Sequence, residues 1–353
     1  MNPLKIPGLL PIIIFSIIGI GQISFGANIF VPEMDLTSKM YLSSVVETRI
    51  QSRVSLDGGY KYQAKILFQC YDTNLESGPP PVLTFDGAQA TIRDIFNIFD
   101  FTYFTGYYGI LGEGEHYKGY LYHGESGFDY NGYRPIQGTG FIFSAGYYDL
   151  IKGQLFVYSS YGGFFNAIDL LFGVDKDPFI FQLFLGTSEG HPEIKGTDLV
   201  YRIGTQFKYL GDDIDFYLTI GNPLIEIGHQ IVFDDFYFLL EEWIKMNNWN
   251  LILSVFARPK VHYNYVQKEY IDTGETNDID FNFDLNYAPE ARYFSVGGEF
   301  NMQTNKTEPY GIFISPYINI FASGLAWKLK LDFNILSQLD ELLTAYVNVS
   351  ASF

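Results

Sequence analysis

The chain has 353 residues, a formal net charge of -18 and a single cysteine, Cys70. The excess of carboxylates excludes recognition of nucleic acid through its phosphates and a basic patch for anionic lipid surfaces, and one cysteine excludes an intrachain disulfide framework. Aromatic residues make up 18% of the chain, with 28 Tyr and 33 Phe, yet mean hydropathy is only +0.04, the balance expected of strands with one lipid-facing and one wet face.

Met1 to Lys5 carries one positive side chain, Ile6 to Ile23 is apolar apart from Ser16 and Gln22, and Ser24-Phe25-Gly26 supplies small residues before Ala27. This pattern predicts a secretory signal peptide over 1–26 and a mature chain over 27–353. A retained anchor is the alternative, but no charged stop-transfer flank follows the apolar run. No cysteine stands at the cleavage site, so no lipoprotein anchor is indicated.

Segments of two-residue periodicity then recur. Met40 to Leu56 places Leu42, Val46, Ile50 and Val54 on one face and Glu47, Arg49, Gln51 and Arg53 on the other, because successive strand side chains point to opposite sides. Asp57-Gly58-Gly59 turns it into Tyr60 to Cys70, with Lys61, Gln63, Lys65 and Gln69 inward. Ala88 to Asp94 and Phe99 to Tyr108 form the next pair, followed by Thr139 to Tyr148 with Lys152 to Ser160, and by Ala167 to Val174 with Phe179 to Ser188. Asp198 to Tyr209 turns inward Arg202, Gln206 and Lys208, and Asp213 to Ile220 turns inward Asp213, Asp215, Tyr217 and Thr219. Asp235 to Ile244 and Trp249 to Arg258 follow, with Trp243 and Trp249 placed as membrane-interface anchors. Asp278 to Tyr287 alternates most cleanly, and Arg292 to Met302, Tyr310 to Ile320, Gly324 to Phe333 and Leu343 to Phe353 complete the series. These are about seventeen candidates; single-chain bacterial barrels have even strand numbers, so the expectation is about sixteen, within 14–18.

Connections sort by length. Short ones fall at Asp57 to Gly59, Asp149 to Ile151, Asp175 to Pro178, Gly211 to Asp212, Ala288 to Pro289 and Phe321 to Ser323; long ones fall between them, at Asn74 to Pro81, Gly109 to Gly138, Glu189 to Thr197, Gly221 to Asp234 and Pro259 to Asn277. Such alternation separates periplasmic turns from extracellular loops. The longest, 109–138, is rich in Gly and Tyr, and a loop of that length is usually functional.

The last stretch, Leu343 to Phe353, keeps unbroken period two and is long enough, when tilted, to cross a hydrocarbon core. With Val347, Val349, Ala351 and the terminal Phe353 on one face, it resembles the closing strand of bacterial outer-membrane β-barrels, especially porin-like ones, including uncharacterised barrels of spirochaete-like bacteria. The resemblance implies a transmembrane antiparallel up-and-down β-barrel closed by the C-terminal strand. It also implies that those four residues form the signal read by the barrel-assembly machinery, that outer-membrane lipid surrounds the barrel, and that the long early loop folds into the lumen. It leaves the oligomeric state open.

Inward charges fall into two sets. Arg49, Arg53, Lys61, Lys65, Arg93, Lys328 and Lys330 would form a basic lumen wall, and Asp213, Asp215, Asp278, Asp280, Asp284 and Glu299 an acidic one. Facing walls of opposite sign create a transverse field that sorts polar solutes; the alternative is that these charges are a solvated face or pair across neighbouring strands. An enzyme is not expected. His116, His123, His191, His229 and His262 all fall in or beside loops without a companion at recognisable spacing. Asp212, Asp213 and Asp215 read as a turn rather than a metal site, and no phosphate-binding loop or zinc pattern occurs. No metal and no cofactor are expected. Two function classes follow: a porin-like channel for passive diffusion of small polar solutes, or a surface-exposed structural or adhesin-type barrel acting through its loops. Mature length favours the wide barrel, and hence the channel.

Overall fold

The computed structural model describes residues 28–41, 46–57, 61–71, 82–116, 132–148, 150–159, 165–189, 199–226, 230–264, 269–272, 279–289, 293–304, 309–322, 325–336 and 342–351. The expected signal peptide lies outside these residues, as do Asp278 and Phe353. The strands are β1 (Asn28–Tyr41), β2 (Val46–Asp57), β3 (Tyr62–Tyr71), β4 (Val82–Ile95), β5 (Phe99–Leu111), β6 (Arg134–Tyr147), β7 (Ile151–Ser159), β8 (Ala167–Lys176), β9 (Phe179–Glu189) and β10 (Leu199–Leu210). They continue with β11 (Ile214–Glu226), β12 (Tyr237–Met246), β13 (Trp249–Ala257), β14 (Val261–Asn264), β15 (Glu269–Asp272), β16 (Ile279–Tyr287), β17 (Phe294–Thr304), β18 (Pro309–Ala322), β19 (Leu325–Asn334) and β20 (Leu343–Ala351).

All but β14 and β15, which pair with each other, belong to one 18-stranded antiparallel sheet. From β3 to β20 the strands of this sheet pair in succession, and β1 pairs with β2. β20 pairs with β19 and also with β1, Leu36 opposite Val349 and Ser38 opposite Val347, so the last strand joins the first, and β2 lies beside β3. Closure is what a membrane demands, since a backbone N–H or C=O left without a partner in hydrocarbon costs several kcal/mol and an open edge would present a row of them. The count is the upper end of the expected range. The strand that periodicity missed is β1, where Pro32 falls in a register break between Phe30 and Glu33, the kind of position at which a strand tolerates proline.

The outward face is apolar along continuous cross-strand rows. Phe143 of β6 lies opposite Leu155 of β7, then Leu170, Leu185 and Ile203 follow on β8, β9 and β10, all of them exposed. At the end carrying the short turns aromatic residues gather, the exposed Tyr147, Tyr148, Phe179 and Trp249 among them: Tyr147 against Tyr148 with ring centroids 4.5 Å apart, Phe179 against the half-buried Tyr209 at 5.3 Å and Trp249 against the half-buried Tyr287 at 5.0 Å. This is the girdle that amphipathic rings form at a membrane interface. Trp249 stands there as expected. Trp243 does not: its parity on β12 places it inside the barrel, and its indole N–H donates to Asn250 Oδ1 at 3.2 Å.

Val347 is exposed on this outer face, midway along β20 and between Leu329 and Ser38. A charge there meets lipid, at about 2–4 kcal/mol for lysine near the midplane and less for aspartate. Val347→Lys is therefore expected to reduce the heat-modifiable, protease-resistant barrel recovered from outer membranes, with Val347→Asp intermediate; wild-type recovery of both variants would contradict the placement.

Candidate functional site

The lumen is shaped by one hairpin. Strands β5 and β6 run further than their periodicity predicts, to Leu111 and from Arg134, so the connection is shorter than the expected 109–138 and the extra strand length bends into the barrel. The bend has a sequence cause. Gly87 of β4, Gly106 of β5 and Gly138 of β6 are cross-strand neighbours, and Gly106 and Gly138 adopt φ of 81° and 141°, which a side chain disfavours. A Cβ at Gly87 would lie 2.5 Å from the carbonyl oxygen of Tyr107. The three glycines make a crease along which the hairpin folds inward, and a register break between Tyr107 and Gly109 adds to the twist.

Beyond the crease the hairpin packs on the inner face of β7 to β13. Leu111, Tyr133 and Ile136 join Phe104, Phe156, Tyr158, Phe184, Tyr237, Leu239 and Phe256 in one buried cluster. Tyr133 is held on several sides. Its ring stacks on Phe184 at 5.6 Å, lies over the cross-strand pair Gly204 and Gly221, and its hydroxyl donates to the carbonyl of Asn222 at 3.0 Å. A Cβ at Gly221 would come within 2.4 Å of that ring.

Residues 112–116 reach β10 and β12. The fully buried carboxylate of Glu241 accepts the backbone N–H of Glu115 at 2.8 Å and that of His116 at 3.0 Å. Gln206 donates to the carbonyl of Glu113 at 2.9 Å, and Lys208 donates to Glu115 at 2.8 Å. The His116 ring meets Trp243 edge-on at 4.7 Å. Consecutive amides on one carboxylate are a strong, directional anchor, so both described ends of the loop are fixed to the inner wall of β9 to β12, several strands from their own.

Beneath the cluster lies a buried ion pair. Arg202 Nε donates to Asp169 at 2.9 Å with both side chains almost sealed from solvent, Arg202 also donates to Ser188 at 2.7 Å, and Tyr158 donates to Asp169 at 2.7 Å. Arg134 at the base of the hairpin donates to Tyr158 at 3.2 Å. Gly186 makes room, since a Cβ there would sit 1.9 Å from Asp169 Oδ1. The network ties the hairpin's foot to β7, β8, β9 and β10.

The remaining inner wall is polar. Lys328 and Lys330 both reach Glu299, the former at 2.7 Å, and Lys330 also lies 3.3 Å from Asp332. The basic and acidic sets of the sequence thus meet across β17 to β19 and share one wall there. Asp215 is likewise paired, with Lys245 at 2.7 Å. Asp213 is an exposed turn residue. Asp284 accepts the Tyr317 hydroxyl at 2.7 Å, while Asp280 is buried on β16. Lys61 and Arg93 are exposed at the turn end, joined through a backbone hydrogen bond of 2.9 Å, and Lys65 is half-buried opposite Gln89. Register sets Arg49 opposite Thr37 and Arg53 opposite Glu33. Of the assembly residues, Val347 and Val349 lie on β20 and Ala351 ends it opposite Met34. Of the histidines, His262 lies on β14, and His123, His191 and His229 fall outside the described residues. No group of side chains suited to a metal ion occurs among the described residues.

Periodicity did not single out Tyr133, Asp169 or Glu241. Glu241 carried a signal, a carboxylate following the inward apolar residues Tyr237 and Leu239 on the same strand, whereas Tyr133 sits in a loop whose packing no local pattern foretells.

Comparison with known proteins rests on structure. No protein-family model matches the chain, and no curated protein matches its sequence. Among solved structures, the outer-membrane protein OpdK of Pseudomonas aeruginosa is similar with a TM-score of 0.54 at 9% identity, over 91% of this chain and 97% of that one. OccK10 (OpdN) of the same bacterium gives 0.54 at 11% identity over 93% and 98%, and a substituted form of the Rh. blastica porin gives 0.52 at 10% identity over 93% and 100%. The fold is that of a porin-like outer-membrane β-barrel. These structural relatives include a porin, and the exposed apolar band on the outer face of this chain is the surface that an outer-membrane barrel of that fold turns to lipid.

Proposed function

We propose that this porin-like barrel is a channel for passive diffusion of small polar solutes, with the folded-in β5–β6 hairpin setting its bore. One observation carries the reading: the hairpin is bonded to the inner wall of β10 and β12 through Gln206, Lys208 and Glu241 and occupies one side of the lumen, while the side formed by β16 to β20 stays polar. An 18-stranded barrel is wide enough for an aqueous channel, and an obstruction on one side narrows such a channel to a size filter. In this reading residues 1–26 direct export, the C-terminal strand engages the assembly machinery, lipid surrounds the apolar band, and the long connections face outward.

Liposome swelling with uncharged solutes of graded size tests it. Swelling is expected to fall steeply as solute size increases; swelling no faster than in protein-free vesicles would overturn the proposal and favour a barrel acting through its loops.

The net charge of -18 and the inward Asp280 and Asp284 point to cation preference, since carboxylates lining a pore raise the local cation concentration. Asp280→Lys combined with Asp284→Lys should lower the cation-to-anion permeability ratio at 0.1 M salt and have less effect at 1 M, where screening shortens to about 3 Å. An unchanged ratio at low salt would show that these carboxylates do not face the ion path.

A further inference from the structure

Beneath the folded-in hairpin is a recess whose chemistry is more specific than size filtering requires. It consists of two adjoining cavities of about 390 and 350 Å³, the first against the inner face of β6 to β10 towards the turn end, the second between that face and hairpin residues 108–115. Gln154, Leu171, Gln182 and Lys208 line both. These volumes are those of small-molecule sites.

The charges in the recess are paired. Lys152 lies 3.2 Å from Asp175, Lys208 lies 2.8 Å from Glu115, and Asp100 accepts the backbone N–H of Asp94 at 2.9 Å. Glu113 also lines the recess, so carboxylates outnumber lysines and an anion would find no cation free to receive it. The other polar groups are neutral. Ser144 lies in register with Gln154, whose amide donates to it at 3.3 Å, and Gln182 lies in register with Gln206. Gln206 donates to Glu113 and Thr219, while Gln182 makes no side-chain hydrogen bond among the described residues. A side-chain amide offers a donor and an acceptor side by side, which complements a hydroxyl group that also does both. Leu171, Tyr108 and Phe156 supply an apolar side, suited to the C–H face of a ring.

From this combination we infer that the recess binds a neutral polyhydroxylated solute, a sugar of one or two rings, and rejects anionic solutes of the same size. The inference rests on the diffusion reading for its route of access but not for its chemistry. Two measurements on the intact, refolded protein separate the two. In planar bilayers, maltose is expected to interrupt the ion current reversibly and gluconate to leave it unchanged; calorimetry in detergent is expected to show saturable maltose binding without gluconate binding. Gln154→Ala with Gln182→Ala should weaken maltose binding about tenfold, as the loss of two neutral hydrogen bonds would. Gly173→Leu gives an independent check, because a Cβ there meets only ordinary contacts at 3.7 Å and beyond, and the longer side chain would fill the recess. It should abolish block and binding with the barrel still heat-modifiable. A conducting channel with neither block nor binding overturns the sugar site and leaves the channel standing. Maltose binding by a barrel that never conducts sustains the site and overturns the diffusion reading, and gluconate binding as tight as maltose binding overturns the neutral-solute assignment.

Discussion

Asp169→Ala, with Arg202 left in place, is expected to lower the unfolding free energy of the refolded barrel by about 3–5 kcal/mol, the cost of stranding a buried charge. Arg202 and Asp169 are almost fully enclosed by β7 to β10 and the hairpin's foot. Their pairing offsets a large desolvation penalty only while both are present. Tyr158 would lose its acceptor as well, and through Tyr158 the hold on Arg134 would loosen. The paired replacement Asp169→Leu with Arg202→Met should recover most of the loss, because well-packed apolar groups of similar volume often replace a buried ion pair at little cost. Urea unfolding in detergent measures both. A single variant as stable as the wild type would mean that the pair is reached by water, and that the hairpin's foot is not sealed.

Glu241→Leu should raise mean conductance and make the open level fluctuate. The wild-type carboxylate satisfies the part-buried amides of Glu115 and His116, and losing a hydrogen bond to a charged group costs about 1.5–3 kcal/mol. With two such donors orphaned, the segment over 112–116 is expected to leave the wall of β12 and widen the bore intermittently. Glu241→Gln keeps an oxygen acceptor but loses the charge, and should fall between wild type and Glu241→Leu. Recordings at constant voltage distinguish the three; identical current levels and noise would show that the contact does not restrain the hairpin.

The barrel was legible because a transmembrane strand writes its environment into alternate residues. Val347 and Val349 face lipid beside Asn348, Ile214 and Phe216 beside Asp215, and each alternation survives in the structure. The one lost strand, β1, is the one whose period Pro32 interrupts. The lumen was less legible. Asp215, Arg202 and Gln206 are buried, but parity says nothing about distance along or around the barrel. Lys328, Lys330 and Glu299 looked like members of opposing sets, yet the register of β17 to β19 brings them together. The same limit applies to the hairpin. Its crease depends on Gly87, Gly106 and Gly138 being neighbours across three strands, a relation fixed by pairing register and invisible to any local window. Trp243 shows the converse failure, an aromatic at the right height for an interface anchor but on the wrong face.

Single-channel recording of the purified, refolded wild-type protein in planar bilayers tests the central claim most directly. A water-filled 18-stranded barrel narrowed by its β5–β6 hairpin predicts discrete, uniform, cation-preferring current steps that grow when the connection between β5 and β6 is shortened. A correctly folded, heat-modifiable barrel that inserts without producing any steps, in the intact and the shortened form alike, would contradict it.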